Sequence, residues 1–367
     1  MKKLFKSKWI LIFIAVAFVL TGYFVFTTVD SKTPVASAAK KTYSGTLYVA
    51  GMGGHFTKAD VTIDPNDTEN PIKVKDLGRV VIGNKKTHPT HDPRIDVNDR
   101  TKMYWSTYLL DPDGNLHVGI SDLKTGDKIK DVAVKLDPRA KWTGANYCGS
   151  GQSKTLFMPV TMTDEAYIDV FDKKTLEHKH RVFLDYKLGE TKFYHGTNTP
   201  DMKKFLVVVN LATGGKPNGK IDLIMLDLPA LEKGKAKVLA KNTITGEPGK
   251  TLTFRQYFTD DGKLLLQSGR DRFYLIDAKT LKPIDEEMVK GENHDAMPTP
   301  DGKYAVLTLR QTIKDKEGKD ITDGTIQLYD MEAKKQVGKP VSTCNACHEK
   351  IGIKGSAVLC GIDGNWK

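Results

Sequence analysis

The 367-residue sequence predicts an all-β fold of the β-propeller class. Residues 44–343 consist of short apolar runs broken by turn residues, and few stretches longer than ten residues have helical periodicity. One strand pattern recurs six times within this region, at intervals close to fifty residues. A period of that length, with about four strands in each repeat, is typical of a propeller blade.

The repeated unit is an apolar strand that ends in aspartate and is followed by a turn and a further strand. The spacings between successive aspartates are 58, 50, 55, 50 and 53 residues. A unit of this kind cannot bury both of its faces alone, so several units must pack side by side. The six aspartates are Asp64, Asp122, Asp172, Asp227, Asp277 and Asp330.

A second landmark supports the same fold and carries a resemblance to a known group. Residues 199–203, 259–263 and 299–303 read Thr-Pro-Asp-Met-Lys, Thr-Asp-Asp-Gly-Lys and Thr-Pro-Asp-Gly-Lys, and each is a tight turn before an apolar strand. They resemble the Pro-Asp-Gly-Lys turns of the superfamily that includes the haem d1 domain of cytochrome cd1 nitrite reductase and the Tyr-Val-Thr-Asn repeat proteins. This resemblance, over residues 44–343, implies a fold rather than an activity. Seven or eight blades are usual in that group, so the resemblance allows one or two blades beyond the six visible repeats.

The N-terminal 39 residues predict export across a membrane. Four lysines within the first eight residues precede an uncharged, apolar stretch over residues 9–29. Ala36-Ser37-Ala38 suits cleavage of a signal peptide, whereas the apolar stretch is also long enough to remain as a membrane anchor. Both outcomes place the chain from residue 40 onward outside the cytoplasm, on the periplasmic or extracellular side.

The net charge favours a solvated surface. The formal charge is +11, of which +4 lies in the first 39 residues, leaving +7 for the rest. The remaining lysines are scattered among acids, and no basic run is interleaved with aromatic residues, so a nucleic-acid partner is not expected.

The strongest motif is Cys344-Asn345-Ala346-Cys347-His348. Two thiols at this spacing can add to the two vinyl groups of haem, and the adjacent histidine can then bind the iron. A zinc site would need a second close pair of ligands, and a thioredoxin-like dithiol would need an α/β context. We therefore expect one covalent haem c, attached at Cys344 and Cys347, with His348 as axial ligand of the iron.

The two remaining cysteines are Cys148 and Cys360. Outside the cytoplasm such a pair can form a disulfide, while free buried thiols and metal ligation are the alternatives. A bridge between them would hold the tail that follows the haem motif close to residue 148.

A further set of polar residues precedes the turns of five successive units. Because equivalent positions of different blades converge on the central channel of a propeller, we expect these residues to meet at one channel mouth. They could hold a metal, an anion, a second cofactor or the distal face of the haem, for which His294 is the first choice, or they could simply hydrogen-bond across the channel. The set comprises His91, Cys148, His195, Arg255 and His294, and its histidines and arginine are the catalytic candidates.

These features predict a leader over residues 1–39, a propeller over 40–340 and a haem-binding tail over 341–367. The expected function is that of an exported monohaem c-type cytochrome, acting in electron transfer or as a respiratory oxidoreductase subunit, with redox proteins and other cytochromes as partners. The alternative is a binding or assembly module that organises a larger cytochrome complex without catalysis of its own. The sequence carries no hydrolase elbow, zincin or nucleotide-loop signature.

Overall fold

Antiparallel strands make up nearly all of the regular structure. The computed structural model describes residues 39–140, 147–163, 165–186, 189–357 and 361–367. Within these residues the strands form six four-stranded groups, which we call blades 1 to 6. In each blade the third strand from the inside ends at, or just before, one of the six repeated aspartates.

Blades 1 to 3 occupy the first half of the chain. Three strands of blade 1 come first, namely β1 (Tyr43–Ala50), β2 (His55–Ile63) and β3 (Ile72–Val81). Blade 2 contains β4 (Thr90–Ile95), β5 (Lys102–Thr107), β6 (Asn115–Asp122) and β7 (Lys128–Lys135). Blade 3 contains β8 (Tyr147–Gln152), β9 (Leu156–Thr161), β10 (Tyr167–Asp172) and β11 (His178–Phe183).

Blade 4 and the first strands of blade 5 follow. Blade 4 contains β12 (Thr191–Asn198), β13 (Lys204–Thr213), β14 (Lys216–Asp227) and, after the short helix α1 (Leu228–Leu231), β15 (Val238–Thr245). Blade 5 begins with β16 (Gln256–Phe258), β17 (Leu264–Ser268) and β18 (Arg270–Asp277).

Blades 5 and 6 share one long strand, β19 (Pro283–Pro298). Its first half pairs with β18 as the outer strand of blade 5, and its second half is the inner strand of blade 6. The remaining elements are β20 (Tyr304–Lys314), β21 (Asp320–Asp330), β22 (Lys335–Ser342), α2 (Cys344–Lys350) and β23 (Ile362–Trp366).

The last strand closes a ring. β23 pairs antiparallel with β1, from Val49 opposite Ile362 to Gly45 opposite Trp366, and becomes the innermost strand of blade 1. The innermost strands then contact one another in cyclic order, β23 to β4, β8, β12, β16, β19 and back to β23. The segment after the predicted boundary at residues 340 and 341 thus includes a strand of the propeller itself.

The hydrophobic core lies between the blades. Six apolar clusters of buried residues each combine side chains from two neighbouring blades, and together they fill all six interfaces. Leu47 and Val49 of blade 1, for example, pack with Val306 and Leu328 of blade 6. Because apolar burial is achieved between the blades, the axis is left to polar side chains.

Two further predictions concern the N-terminal leader and the number of blades. The predicted leader lies outside the described residues, except for Ala39. Within the described ranges, no helix combines the length and the apolar character needed to cross a bilayer. The same ranges form six blades, which equals the number of repeats visible in the sequence.

Candidate functional site

The five ring residues line one cavity at the axis. His91, Cys148 and His195 lie in β4, β8 and β12, Arg255 directly precedes β16, and His294 lies where β19 enters blade 6. All five border a cavity of about 260 Å³, which we call the axial cavity. The remaining lining residues are Tyr108, Met162, Leu252, Phe254, Arg270, Glu292 and Arg310.

Cys148 lies between two imidazoles. Its Sγ is 2.9 Å from Nε2 of His195 and 3.7 Å from Nε2 of His91. All three side chains are buried, and Nδ1 of His195 has no hydrogen-bond partner among the described residues. The arrangement pairs a thiol with a base that can accept its proton.

Arg255 determines the tautomer of His91. Its Nη2 lies 3.0 Å from Nδ1 of His91, and because a guanidinium can only donate, that nitrogen must accept. The proton of the neutral ring is therefore on Nε2, which faces the sulfur of Cys148. Arg255 also donates from Nε to the carbonyl oxygen of Cys148 at 3.1 Å.

Buried carboxylates balance the charge of Arg255. Its Nη1 is 2.9 Å from Oδ1 of Asp92 and 3.9 Å from Oδ2 of Asp295. Asp92 also accepts from the hydroxyl of Ser150 and lies 3.6 Å from a guanidinium nitrogen of Arg94. Arg255 and both carboxylates are almost fully excluded from water, so each charge depends on its partners.

The mouth of the cavity carries a more exposed ionic cluster. Glu292 accepts from His294 at 2.6 Å and from Arg310 at 2.9 Å, and its second oxygen is 3.3 Å from Nε of Arg270. The side chains of Arg270, Arg310 and Glu292 are 39%, 28% and 27% exposed. Since the thiol and imidazoles are buried, a molecule from solvent would pass these groups to reach Cys148.

Burial keeps the histidines of the cavity neutral. It lowers the pKa of His91 and His195 well below the usual value, and the nearby charge of Arg255 acts in the same direction. It also lowers the pKa of His294 to about 4, although the hydrogen bond to Glu292 opposes the change. Asp295 changes in the opposite sense, because burial raises its pKa to about 6 against the effect of Arg255 and Arg94.

These pKa values predict how stability depends on pH. Unfolded His294 takes up a proton below about pH 6.5 and the folded residue only below about 4, so its contribution to stability is lost as the pH falls between these values. The full loss is about 3 kcal/mol. Asp295 acts oppositely, since its raised pKa gives stability that is lost as the pH rises through about 6.

Urea unfolding between pH 4 and 7 checks this expectation. His294→Gln should flatten the fall in stability on acidification, and Asp295→Asn should steepen it. His178→Gln, at an exposed histidine, is the matched control. Equal slopes for all four proteins would contradict the assignment.

The Cys-x-x-Cys-His motif forms α2, which is buried against the ends of blades 6 and 1. Cys344, Cys347 and His348 are each at most 1% exposed, and within the part of the chain that the structure describes neither ring nitrogen of His348 has a hydrogen-bond partner. Burial lowers the pKa of His348 to about 4, which keeps the ring neutral.

The imidazole beside that of His348 belongs to His55, which is not among the site residues predicted from the sequence. Its ring centroid is 5.2 Å from that of His348, and its Nε2 is 3.5 Å from Sγ of Cys347. His55 and Cys347 are 292 positions apart in the sequence, so local spacing gave no signal for this contact. The glycine-rich run before His55 was the available clue.

Glycines let the backbone approach the motif closely. A methyl group at Gly53 would lie 2.6 Å from Nε2 of His348 and 2.6 Å from Cε1 of His55, so only glycine fits between the two rings. One at Gly51 would be 3.1 Å from Sγ of Cys344. Met52, between these glycines, has a φ of 59°, which a non-glycine residue adopts at an energetic cost.

Two short connections join the α2 site to the axial cavity. The hydroxyl of Thr90, next to His91, donates to the carbonyl oxygen of His55 at 2.8 Å. The amide of Ala50 donates to the carbonyl oxygen of Gly361 at 2.9 Å, and Gly361 packs so closely on Arg255 that a methyl group there would collide with the guanidinium. Hydrogen bonds between neighbouring residues therefore connect the two sites.

The predicted bridge between Cys148 and Cys360 stays a prediction. Cys148 lines the axial cavity, whereas Cys360 lies outside the described residues. The same holds for any role of Cys360 as a ligand.

A separate group on blade 2 also has the composition of a metal site. Donor atoms of His88, His117 and Asp131 lie within 4.8 Å of one another. His88 and His117 each form a hydrogen bond with Asp131. Further hydrogen bonds join Asp111 to His117 and Lys128 to Asp131. The cluster therefore has a structural role as a hydrogen-bonded ion-pair network linking β7 to the loop before β4.

Comparison with known proteins identifies the fold. No family model and no curated protein matches the chain. A periplasmic gluconolactonase of Pseudomonas aeruginosa is similar in structure, with a TM-score of 0.53 and 10% sequence identity over 88% of this chain and 99% of that one. Hydrazine synthase of Kuenenia stuttgartiensis gives a TM-score of 0.45 and 13% identity over 77% and 75% of the two chains. At such identity the similarity to the gluconolactonase concerns the fold alone, and with the six-bladed ring it confirms the predicted β-propeller.

Proposed function

We propose that this protein is an exported redox protein that carries one haem c at Cys344, Cys347 and His348 and has a substrate or second-cofactor site in the axial cavity. It would act in electron transfer or as a respiratory oxidoreductase subunit, with redox proteins as partners. The observation that carries the proposal is the pair of hydrogen bonds that connects residues beside the α2 site to residues beside the axial cavity.

The donor groups of α2 fit covalent haem. The two thiols are one helical turn apart, and the imidazole of His348 is neutral, buried and without a hydrogen-bond partner on either nitrogen. An unpaired imidazole is costly to bury, and an iron atom would satisfy one of its nitrogens. When bound, haem c supplies one-electron chemistry.

The loop over residues 51–54 would have to draw back from His348 to admit the haem. It packs directly against Nε2 of His348, and the left-handed backbone of Met52 gives it strain to release. Three of its four residues are glycine, which tolerates a change of backbone conformation better than any other residue.

His55, rather than His294, would be the second imidazole that holds the iron. The ring of His55 contacts that of His348, and burial keeps it neutral by lowering its pKa to about 4. His294 is instead stacked on Phe254 at 4.2 Å with its Nε2 hydrogen-bonded to Glu292. A ligand role for His294 would require it to give up both contacts.

The test is expression of the full chain in a host with haem c maturation, followed by denaturing gel electrophoresis with haem staining and a pyridine haemochrome spectrum. We expect one haem per chain that stays attached after denaturation. The double variant Cys344→Ser/Cys347→Ser should lose it, while Cys148→Ser should keep it. His55→Ala should change the spectrum of the folded protein and open the iron to carbon monoxide, whereas His294→Ala should not. Wild-type protein without covalent haem would disprove the proposal.

One observation favours a second candidate at the same residues. With His55, the motif provides two thiols and two imidazoles, the donor types of a structural zinc site, although their donor atoms do not all lie within 4.8 Å of one another. Metal analysis distinguishes the two candidates. One zinc and no iron per chain would show that these residues bind a zinc ion and not haem.

A further inference from the structure

Two imidazoles and a carboxylate meet on one face of blade 2. Asp131 of β7 lies opposite Gly119 of β6, so it shares a face with His117, which is two residues from Gly119. His88 reaches the same face from the loop between β3 and β4. Donor atoms of His88, His117 and Asp131 lie within 4.8 Å of one another. Imidazole and carboxylate are groups that bind divalent transition metals.

Both imidazoles direct a nitrogen at the same carboxylate. Nε2 of His88 is 2.8 Å from Oδ2 of Asp131, and Nδ1 of His117 is 2.9 Å from Oδ1. Zinc with bonds of about 2.0–2.1 Å holds neighbouring ligand atoms about 3.3 Å apart in a tetrahedral site. An ion that displaced the two ring protons would therefore need each nitrogen and oxygen to separate by only about half an ångström.

The other nitrogen of each ring has a polar partner. Nε2 of His117 is 2.9 Å from Oδ2 of Asp111, and Nδ1 of His88 is 2.9 Å from the hydroxyl oxygen of Thr87. In metal sites the second nitrogen of a histidine ligand donates its proton to such an oxygen, which fixes the ring and its tautomer. A methyl group at Gly83 would lie 2.4 Å from Nδ1 of His88, so the loop backbone packs closely on this ring. Both rings are thus oriented by groups outside the three ligands.

The charges of the cluster favour a cation. Asp111 and Asp131 supply two negative charges, and Lys128 supplies one positive charge, with its Nζ 2.7 Å from Oδ2 of Asp131. The side chain of Lys128 is 33% exposed, so it can turn to solvent when an ion binds the carboxylate. The hydrogen bonds of the cluster link β7 to the loop before β4, and an ion in their place would make the same link.

We infer that blade 2 binds one divalent transition-metal ion of the zinc class through Nε2 of His88, Nδ1 of His117 and a carboxylate oxygen of Asp131. Two nitrogen donors and one oxygen suit zinc, cobalt or nickel, whereas calcium and magnesium take mainly oxygen ligands. Three protein ligands leave the fourth position of a tetrahedral ion to water or another small ligand. The three side chains are 11–18% exposed, which gives solvent access. The inference goes beyond the proposed function and is independent of the haem.

Metal titration of the full chain, after treatment with a chelator and its removal, tests this inference. Zinc binding is measured by isothermal titration calorimetry on the wild type and on Cys344→Ser/Cys347→Ser, because the thiols of α2 are a second set of zinc donors. We expect the cysteine variant, which cannot attach haem covalently, to keep one zinc per chain. Cobalt in place of zinc should give visible d–d bands without a thiolate-to-cobalt charge-transfer band.

Variants within the cluster locate the ion. His88→Gln and His117→Gln should each weaken zinc binding about tenfold or more and remove the cobalt bands. Asp111→Asn keeps all three ligands and should still weaken binding about tenfold, so it tests the site even if a ligand variant does not fold. His178→Gln removes an imidazole that is paired with Asp169 outside the cluster, and it should leave zinc binding unchanged. Circular dichroism shows which variants are folded.

Three results would overturn the inference. The first is a folded cysteine variant that binds no zinc. The second is zinc affinity that stays the same in His88→Gln, His117→Gln and Asp111→Asn, which would place the ion elsewhere. The third is a wild-type cobalt spectrum that consists only of thiolate charge-transfer bands. Because the cysteine variant carries no covalent haem, these results are separate from the success or failure of the proposed function.

Discussion

Replacing Arg255 with methionine is expected to lower the free energy of unfolding by about 3–5 kcal/mol, because it leaves a buried carboxylate without its main partner. Asp92 is fully buried and has Nη1 of Arg255 at 2.9 Å, while Arg94 is more distant at 3.6 Å. The substitution also removes the donors to His91 and to the carbonyl oxygen of Cys148. Urea unfolding followed by circular dichroism measures the change.

Three further proteins, Arg270→Met, Asp92→Asn and the double variant Arg255→Met/Asp92→Asn, separate lost charge from lost shape. Arg270→Met removes the same type of side chain from the same cavity at a position that is 39% exposed, and it should cost less than about 1 kcal/mol. Arg255→Met/Asp92→Asn should recover part of the loss, since both charges are then gone. A double variant whose loss equals the sum of the two single losses would show that packing, not charge, explains the effect.

A chain that ends at Gly361 is expected to lose cooperative unfolding altogether. The missing segment contains β23, the innermost strand of blade 1, whose five residues pair with β1. Its removal exposes the inner edge of β1, takes Ile362 out of the core between blades 1 and 6, and deprives Asp295 of the amide of Ile362. Without β23 the inner edge of blade 1 has unpaired backbone groups at the axis, so the ring of blades should not close.

Thermal unfolding by circular dichroism checks this expectation. Deletion of Lys367 alone, which removes one backbone hydrogen bond at the exposed end, should leave the transition nearly unchanged. Gly364→Val gives a milder, foldable variant, because a Cβ there would lie 2.8 Å from Leu47 and 2.9 Å from Met297, and such overpacking typically costs about 1–3 kcal/mol. A truncated chain that melts within a few degrees of the full chain would show that β23 does not close the ring.

The blades were predictable because their signals are local. Each repeated aspartate caps a turn with its own side chain, as Asp122 does by accepting from the amides of Lys124 and Thr125. Asp172 and Asp330 do the same in blades 3 and 6. Periodicity of this kind follows from hydrogen bonds between residues close in sequence, which explains why the repeat count and the number of blades agree.

The sequence predicted which ring residues meet at the axial cavity, but it did not predict their hydrogen bonds. Aligned repeats placed His91, Cys148 and His195 at equivalent positions, and the ring of blades brings equivalent positions together. The choice of tautomer for His91 depends on Arg255, which is 164 residues away and is itself paired with Asp92 of β4 and Asp295 of β19. No spacing in the sequence specifies those partners.

The sequence by itself determined that the chain is built from β-repeats and that it carries a Cys-x-x-Cys-His motif, and it predicts a leader suited to export. These features are patterns within short segments, where backbone hydrogen bonding and residue spacing suffice. Only the tertiary structure decided that the C-terminal strand completes blade 1, that His55 lies beside His348, and that Arg255 orients His91 toward Cys148. Each of these contacts joins residues more than 150 positions apart, and closure of the ring, through the burial of apolar surface between blades, is what brings them together.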